Sequence, residues 1–203
     1  MAASSGVAQP IYPQKVLIGG TAQAVQRRLL EKAAQTFKIG VPVQVEVASG
    51  FIIECATINS AATALIAGFA TEFANNLATS GVAKTLTYGA VQNQSSAVLI
   101  PVGAPPNDGT MGLHEAVDST IFVGILGNHT TAANAVSAQT DLGAIFGLTK
   151  DAGNGFWYID NAITTVAGGA CVQIVENDLA PIGTLNAPEA FKVLHAAQQL
   201  SGN

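Results

Sequence analysis

Residues 139–160, QTDLGAIFGLTKDAGNGFWYID, gather three Asp, one Asn and several Gly around the only Trp of the chain. Acidic and amide oxygens beside glycine can hold calcium, and an exposed aromatic can stack on a sugar. A calcium loop of the EF-hand kind needs oxygens at alternating positions, a central Gly and a closing bidentate Glu. The run DAGNGFWYID offers Asp151 and Asn154 but puts Gly and apolar residues where further ligands belong. A hairpin accounts for the same letters with fewer demands. FGLTK and FWYID form its strands and DAGNG its turn, because Asp, Asn and Gly tolerate the positive φ that hairpin turns require. Asp151, Asn154 and Gly155 are then turn residues. Trp157 and Ile159 share one face of the second strand, and Phe156, Tyr158 and Asp160 share the other.

The same punctuation runs outward from this hairpin. In PVQVEV, Val43, Val45 and Val47 alternate with Gln44 and Glu46, the pattern of a half-buried strand. ASG then turns the chain into FIIECATI, and a hairpin is the economical connection. SAVLIPV, STIFVGIL, ACVQIV and AFKVLHA read as further short strands between turn residues. Many short strands with Gly, Ala and Asn loops predict a mainly β fold, a β-barrel or β-sandwich domain over residues 37–203.

Two N-terminal segments differ. Residues 1–20 carry Pro10 and Pro13 around Ile11-Tyr12 and read as an extended N-terminal arm. Residues 21–36 open on a Thr N-cap candidate and place Val25, Leu29, Leu30 and Ala33 at helical spacing, which predicts one short α-helix.

Composition narrows the function. Among 203 residues 49% are hydrophobic and only 10% charged, well below the quarter or so usual in soluble domains, so much of the surface is neutral or covered by partners. A net charge of −5 and scattered Lys and Arg give no basic stripe, which argues against nucleic acid as a partner. No apolar run approaches the roughly 20 residues of a membrane-spanning helix. The first residues lack the basic and apolar regions of a secretory signal, so folding in a cytoplasm is expected, with Cys55 and Cys171 as buried free thiols.

No constellation for chemistry emerges. Gly19-Gly20 follows a β-like run but lacks the third glycine of a dinucleotide turn. His114-Glu115 begins a zinc-protease pattern, yet Asp118 stands where the second His is needed, and the segment reads as a polar loop or edge. His129 falls in a loop, and His195 shares a strand face with Phe191 and Val193. Ser, His and Asp show no triad spacing. The sequons at Asn93 and Asn128 are formal matches only. No enzyme activity, metal or cofactor is expected.

Taken together, FKIGVPVQVEVASGFIIECAT, IAGFATEFANN, the DLGAIFGLTKD…GFWYID hairpin, APIGT and the closing FKVLHA resemble the head-decoration (cement) proteins of tailed bacteriophages. The corresponding positions are Gly40 through Val43, Ile66 through Gly68, Phe146 through Asp160 and Ile182 through Thr184. The resemblance covers residues 37 to 195 and rests on turn and strand punctuation. It implies a structural virion protein on the exterior of an assembled phage capsid. Its partners would be the major capsid protein and copies of itself, commonly in a homotrimer, and it would clamp neighbouring capsid subunits. The arm, through Ile11, Tyr12, Pro13 and Val16, is the expected capsid or subunit contact. The alternative is a carbohydrate-binding or adhesin module of a phage tail, fibre or cell surface, using exposed Trp157, Tyr158 and the loop at 128–134.

Overall fold

The computed structural model describes residues 9–16, 25–32, 35–55, 65–72, 74, 84–87, 95–98 and 110–200. In chain order the strands are β1 (Tyr12–Val16), β2 (Gln26–Leu30), β3 (Pro42–Val45), β4 (Ile52–Glu54), β5 (Gly68–Ala70), β6 (Lys84–Thr87) and β7 (Ser95–Val98). They continue with β8 (Thr110–Glu115), β9 (Thr120–Gly127), β10 (Ile145–Lys150), β11 (Trp157–Asp160), β12 (Val172–Glu176) and β13 (Pro188–Val193). Short 3₁₀ turns sit at Ala132–Asn134, Gln139–Asp141, Val166–Gly168 and His195–Ala197. The protein is mainly β, as the alternation and the turn residues predict.

The C-terminal half closes into a five-stranded barrel. Its order is β9-β11-β10-β12-β13, and β13 returns to pair β9 from Pro188↔Ile125 to Phe191↔Phe122. Along its other edge β9 meets β11 in parallel through Ile159↔Leu126. Closure pairs the backbone groups that an open sheet would leave exposed. Both faces of β9 are covered: Phe122 and Leu126 enter the main core, while Ile121 and Val123 pack with Ala190 and Val175 outside it. A Cβ at Gly127 would lie 2.2 Å from the Tyr158 ring, so any side chain there forces the ring or the strand to move.

The expected hairpin forms as β10 and β11, antiparallel from Lys150↔Trp157 to Gly147↔Asp160. Trp157 and Ile159 enter the core. Tyr158 and Asp160, on the opposite face, are buried as well. Asp160 is covered because the loop after β9 bonds to it.

The second sheet has the order β2-β8-β5-β3-β4. Its β3–β4 hairpin is the one expected from PVQVEV and FIIECATI, with Val43 opposite Glu54. Its outer strands β2 and β4 approach at the parallel Glu31–Ile52 bridge, where Lys32 N–H donates to the Ile52 carbonyl at 3.0 Å. The two sheets share one core. Phe69 of β5 packs 4.4 Å from Phe122 and 5.9 Å from Phe191, ring to ring. The Trp157 indole N–H donates to Glu54 of β4 at 3.0 Å, and Lys150 pairs with the same carboxylate at 2.7 Å. Cys55 and Cys171 are free and buried in this core, and burial pushes both thiols well above their ordinary range.

Four expectations are corrected. Within the segment expected to be helical, Gln26–Leu30 is strand β2, antiparallel to β8 from Gln26↔His114 to Leu30↔Thr110. Helix propensity is a weak prior, and here it yields to a sheet edge and to ion pairs of Arg27 with Glu115 and Arg28 with Glu72. The LHE segment is no loop or edge but β8, an interior strand between β2 and β5. His195 leaves the strand face: β13 ends at Val193, Leu194 N–H bonds to the Cys171 carbonyl, and His195 opens an exposed 3₁₀ turn. Finally, the arm is extended but lies on its own barrel. Tyr12–Val16 pairs with Val123–Thr120 across a bulge after Pro13, whose ring nitrogen has no hydrogen to donate to the ladder. Ile11 is 2% exposed and bonds to the Gly40 carbonyl; Gly40 adopts φ +76°, and a Cβ there would lie 2.5 Å from the Ile11 nitrogen. Gly19-Gly20 and Asn93 lie outside the described residues.

Candidate interaction surface

The hairpin turn uses its polar atoms on itself. Asp151 Oδ1 accepts from Gly153 N–H at 2.8 Å, and Asn154 Oδ1 accepts from Phe156 N–H at 2.9 Å. Gly155 takes φ +74° and donates to the Asp151 carbonyl at 2.8 Å. These are turn bonds, and they direct both side chains at backbone amides, as a hairpin requires. Lys38 closes the loop from outside: it donates to the Asn154 carbonyl and lies 4.8 Å above the Phe156 ring. Trp157 and Tyr158 are each 1% exposed, so the aromatic platform that a sugar site on these residues requires is absent from the surface.

Asp160 is the centre of a brace. Its fully buried carboxylate accepts from Thr149 Oγ1 at 2.5 Å and from the Ala162 and His129 amides at 3.1 and 3.3 Å. His129 Nδ1 lies 2.7 Å from Oδ2. Next to it, Asn128 Oδ1 accepts from the Thr130 and Thr131 amides at 3.1 and 2.8 Å, and its Nδ2 donates to Asn161 at 2.7 Å. The loop at 128–134, considered above for sugar binding, is thereby fastened to β11 by its own amides. An Asp–His pair resembles two members of a triad. Here the adjacent hydroxyl, Thr149, points at the carboxylate, so the arrangement holds a loop in place. Sequence reading placed Asp160 on the hairpin and His129 in a loop; the pairing, 31 residues apart, had no local signal.

Other titratable residues are also tied locally. Glu115 meets Arg27, and Asp118 lies 3.3 Å from His195 on the surface. His114 lies on β8 and Asp118 on the turn after it, so the two do not share a helical face, and burial lowers the pKa of His114 below its ordinary value.

The distinctive surface lies at one end of the barrel. Two loops, 131–144 and 177–187, are joined by the Val136–Leu185 bridge, by Asn186 N–H to the Ala135 carbonyl at 2.7 Å and by Ser137 N–H to the Thr184 carbonyl at 3.1 Å. Asn177 adds a bond to the Ala138 carbonyl at 2.9 Å. On these loops Val136, Leu142, Leu179, Ile182 and Leu185 are all exposed. A cleft of about 400 Å³ opens between Leu142, Val175, Glu176, Asn177, Asp178 and Ile182. On the turn that supplies Leu142, Asp141 faces Glu189, whose side chain is fully buried. Burial, and then the Asp141 carboxylate, push Glu189 up to about 8. Single aliphatics scattered through turn-like sequence gave no warning of this surface, because only the loop bridges bring them together.

Of the four arm residues expected at a contact, Ile11 belongs to the core and Pro13 is half-buried opposite Phe122. Val16 pairs through its backbone with Thr120, and Tyr12 is 54% exposed. Compared with protein-family models, with curated proteins and with solved structures, the chain matches none.

Proposed function

We propose that this chain is a structural virion protein that binds the outer surface of an assembled phage capsid and holds neighbouring capsid subunits together, acting as a homo-oligomer with the major capsid protein as its partner. The observation that carries this reading is the surface itself: large aliphatics gathered around a cleft on a rigid, closed β body with few charges. Exposed apolar patches of this kind serve association, and symmetric repetition on a shell lets weak contacts add. The resemblance of the sequence to cement proteins supplies the identity of the shell. Tyr12, at the head of a strand fixed on the barrel, is the arm residue best placed to reach it.

The test is co-sedimentation of the purified protein with expanded, emptied phage heads. Saturable binding at a fixed ratio to the capsid protein is expected, reduced by Tyr12→Ser or by removal of residues 1–8. Truncation must stop short of Ile11, which the core needs. Absence of binding at about 10 µM protein, which detects contacts as weak as about 7 kcal/mol, refutes the proposal.

A further inference from the structure

We infer that residues 139–142 form a flap at the end of the barrel, tucked in while Asp141 and Glu189 share a proton and released as rising pH removes it. The inference concerns the chain alone and holds whether or not the chain binds a capsid.

One side chain ties the flap down. Of residues 139–142 only Asp141 is buried, whereas Gln139, Thr140 and Leu142 are exposed. Asp141 also gathers the bonds of the turn. Its Oδ2 accepts from Ala138 N–H at 2.7 Å, its N–H donates to the Ala138 carbonyl at 3.0 Å, and its carbonyl accepts from Ala144 N–H at 2.8 Å. Both ends of the segment are fastened to other elements. Asn177 donates to the Ala138 carbonyl at 2.9 Å, Gly143 N–H donates to the Ile174 carbonyl at 3.0 Å, and Ile174 N–H donates to the Ala144 carbonyl at 3.0 Å. Between these anchors the four residues can swing out with no strand disturbed.

What Asp141 meets inside is a carboxyl group with no donor. Glu189 is fully buried on β13, and among the described residues no N–H or hydroxyl reaches either of its carboxyl oxygens. Two such groups facing each other attract when one carries a proton and repel when both are charged. A protonated Glu189 can donate its O–H to Asp141. Among the described residues no cation faces the pair. Strand β9 has no titratable side chain and sets Gly124 opposite Glu189. The one on β12 is Glu176, opposite Ala190, and the loop after it adds Asp178; both are acids. Lys192 of β13 alternates to the other face, and Lys150 of β10 is held by Glu54. On β11, Tyr158 and Asp160 lie on the face opposite the core residues Trp157 and Ile159.

The sign of the pH effect follows. Burial and the Asp141 charge raise Glu189 to about 8 while the flap is tucked, and in water it returns towards its ordinary 4.5. The tucked form therefore holds a proton that the open form releases. Opening is least favourable below pH 4.5, grows by up to about tenfold per pH unit above it, and levels off near 8. Leu142 rides on the flap, so the cleft loses that wall as the flap opens.

Amide hydrogen exchange of the full chain, followed by NMR from pH 5 to 9 and expressed as protection relative to the free peptide rate, tests this. Protection of the Asp141 and Ala144 amides should fall by up to about tenfold per pH unit and level off near pH 8, while the β13 amides stay far better protected. Glu189→Gln should keep the flap shut and abolish the pH dependence. Asp141→Asn keeps an oxygen for Ala138 N–H but removes the charge, so the levelling point should move below pH 8. Wild-type protection that ignores pH, a slope that survives in Glu189→Gln, or a levelling point unmoved in Asp141→Asn overturns the inference. So does exchange at Asp141 and Ala144 no faster than in β13, which would mean unfolding of the whole molecule. The wild-type profile decides by itself where a variant fails to fold.

Discussion

Replacing Glu189 by Gln isolates the energetics of the barrel's inner carboxyl pair. Glu189 is fully buried on β13, on the interior side with Phe191, and it faces Asp141. Its pKa rises from 4.5 to about 8, chiefly by burial and further by the Asp141 charge. The folded state therefore holds a proton that the unfolded chain releases once pH passes 4.5. Stability contributed by this group is fully present below that point. It falls by about 1.4 kcal/mol per pH unit until the folded group also ionises near 8, and is flat beyond. The whole drop is about 5 kcal/mol, a large part of the roughly 5–15 kcal/mol that stabilises a typical domain. Gln keeps the shape and stays neutral, so Glu189→Gln should match the wild type near pH 5 and exceed it by several kcal/mol at pH 9. Urea unfolding at pH 5, 7 and 9 reads this directly, with the single buried Trp157 as the fluorescent reporter. Titrating groups other than Asp141, which is coupled to Glu189, are common to both proteins and cancel in the difference. A difference that stays constant across the three pH values refutes the argument.

Three further substitutions probe the fold that carries the proposed surface. Gly127→Ala drives a methyl into the Tyr158 ring and should cost about 1–3 kcal/mol, seen as a lower urea midpoint with an unchanged slope. Trp157→Phe leaves Glu54 without the indole donor at the joint of the two sheets, and a loss of about 1–3 kcal/mol is expected, read by calorimetry because the fluorophore is gone. His129→Ala removes one partner of the buried Asp160; amide exchange at Thr130 and Thr131 should quicken about tenfold or more while β12 and β13 stay protected. Equal exchange in both proteins would show that the imidazole does not hold the loop.

What could be read from sequence was what is local. The two hairpins, 42–54 and 145–160, announced themselves because alternation and turn chemistry act over a few residues. Barrel closure did not, since β13 meets β9 across more than 60 residues and nothing in either strand names its partner. The helix expectation failed for a related reason: QRRLL has helical propensity, but its fate is set by β8, over 80 residues away. Of the candidate residues, Asp151, Asn154 and Gly155 fell where their turn chemistry required, whereas the brace of Asp160 with His129 and the exposed face of Leu142 and Ile182 exist only after folding.

In the arm the structure gives two neighbouring residues opposite environments. Two prolines flanking Ile11-Tyr12 signal extended backbone, and extended backbone either reaches outward or adds to a sheet. Here it adds to β9, and Ile11 is drawn into the core while Tyr12 on the next position faces out, as a period of two demands. A segment fixed in this way loses little further freedom when it meets a partner, so whatever Tyr12 contacts is met by a preorganised side chain. Under the proposed capsid role, anchoring by Ile11 and contact by Tyr12 are separable: Ile11→Ala should lower stability by about 2–5 kcal/mol, and at temperatures where the variant stays folded it should weaken capsid binding only as far as the strand frays. Tyr12→Ser should weaken binding with the melting temperature unchanged.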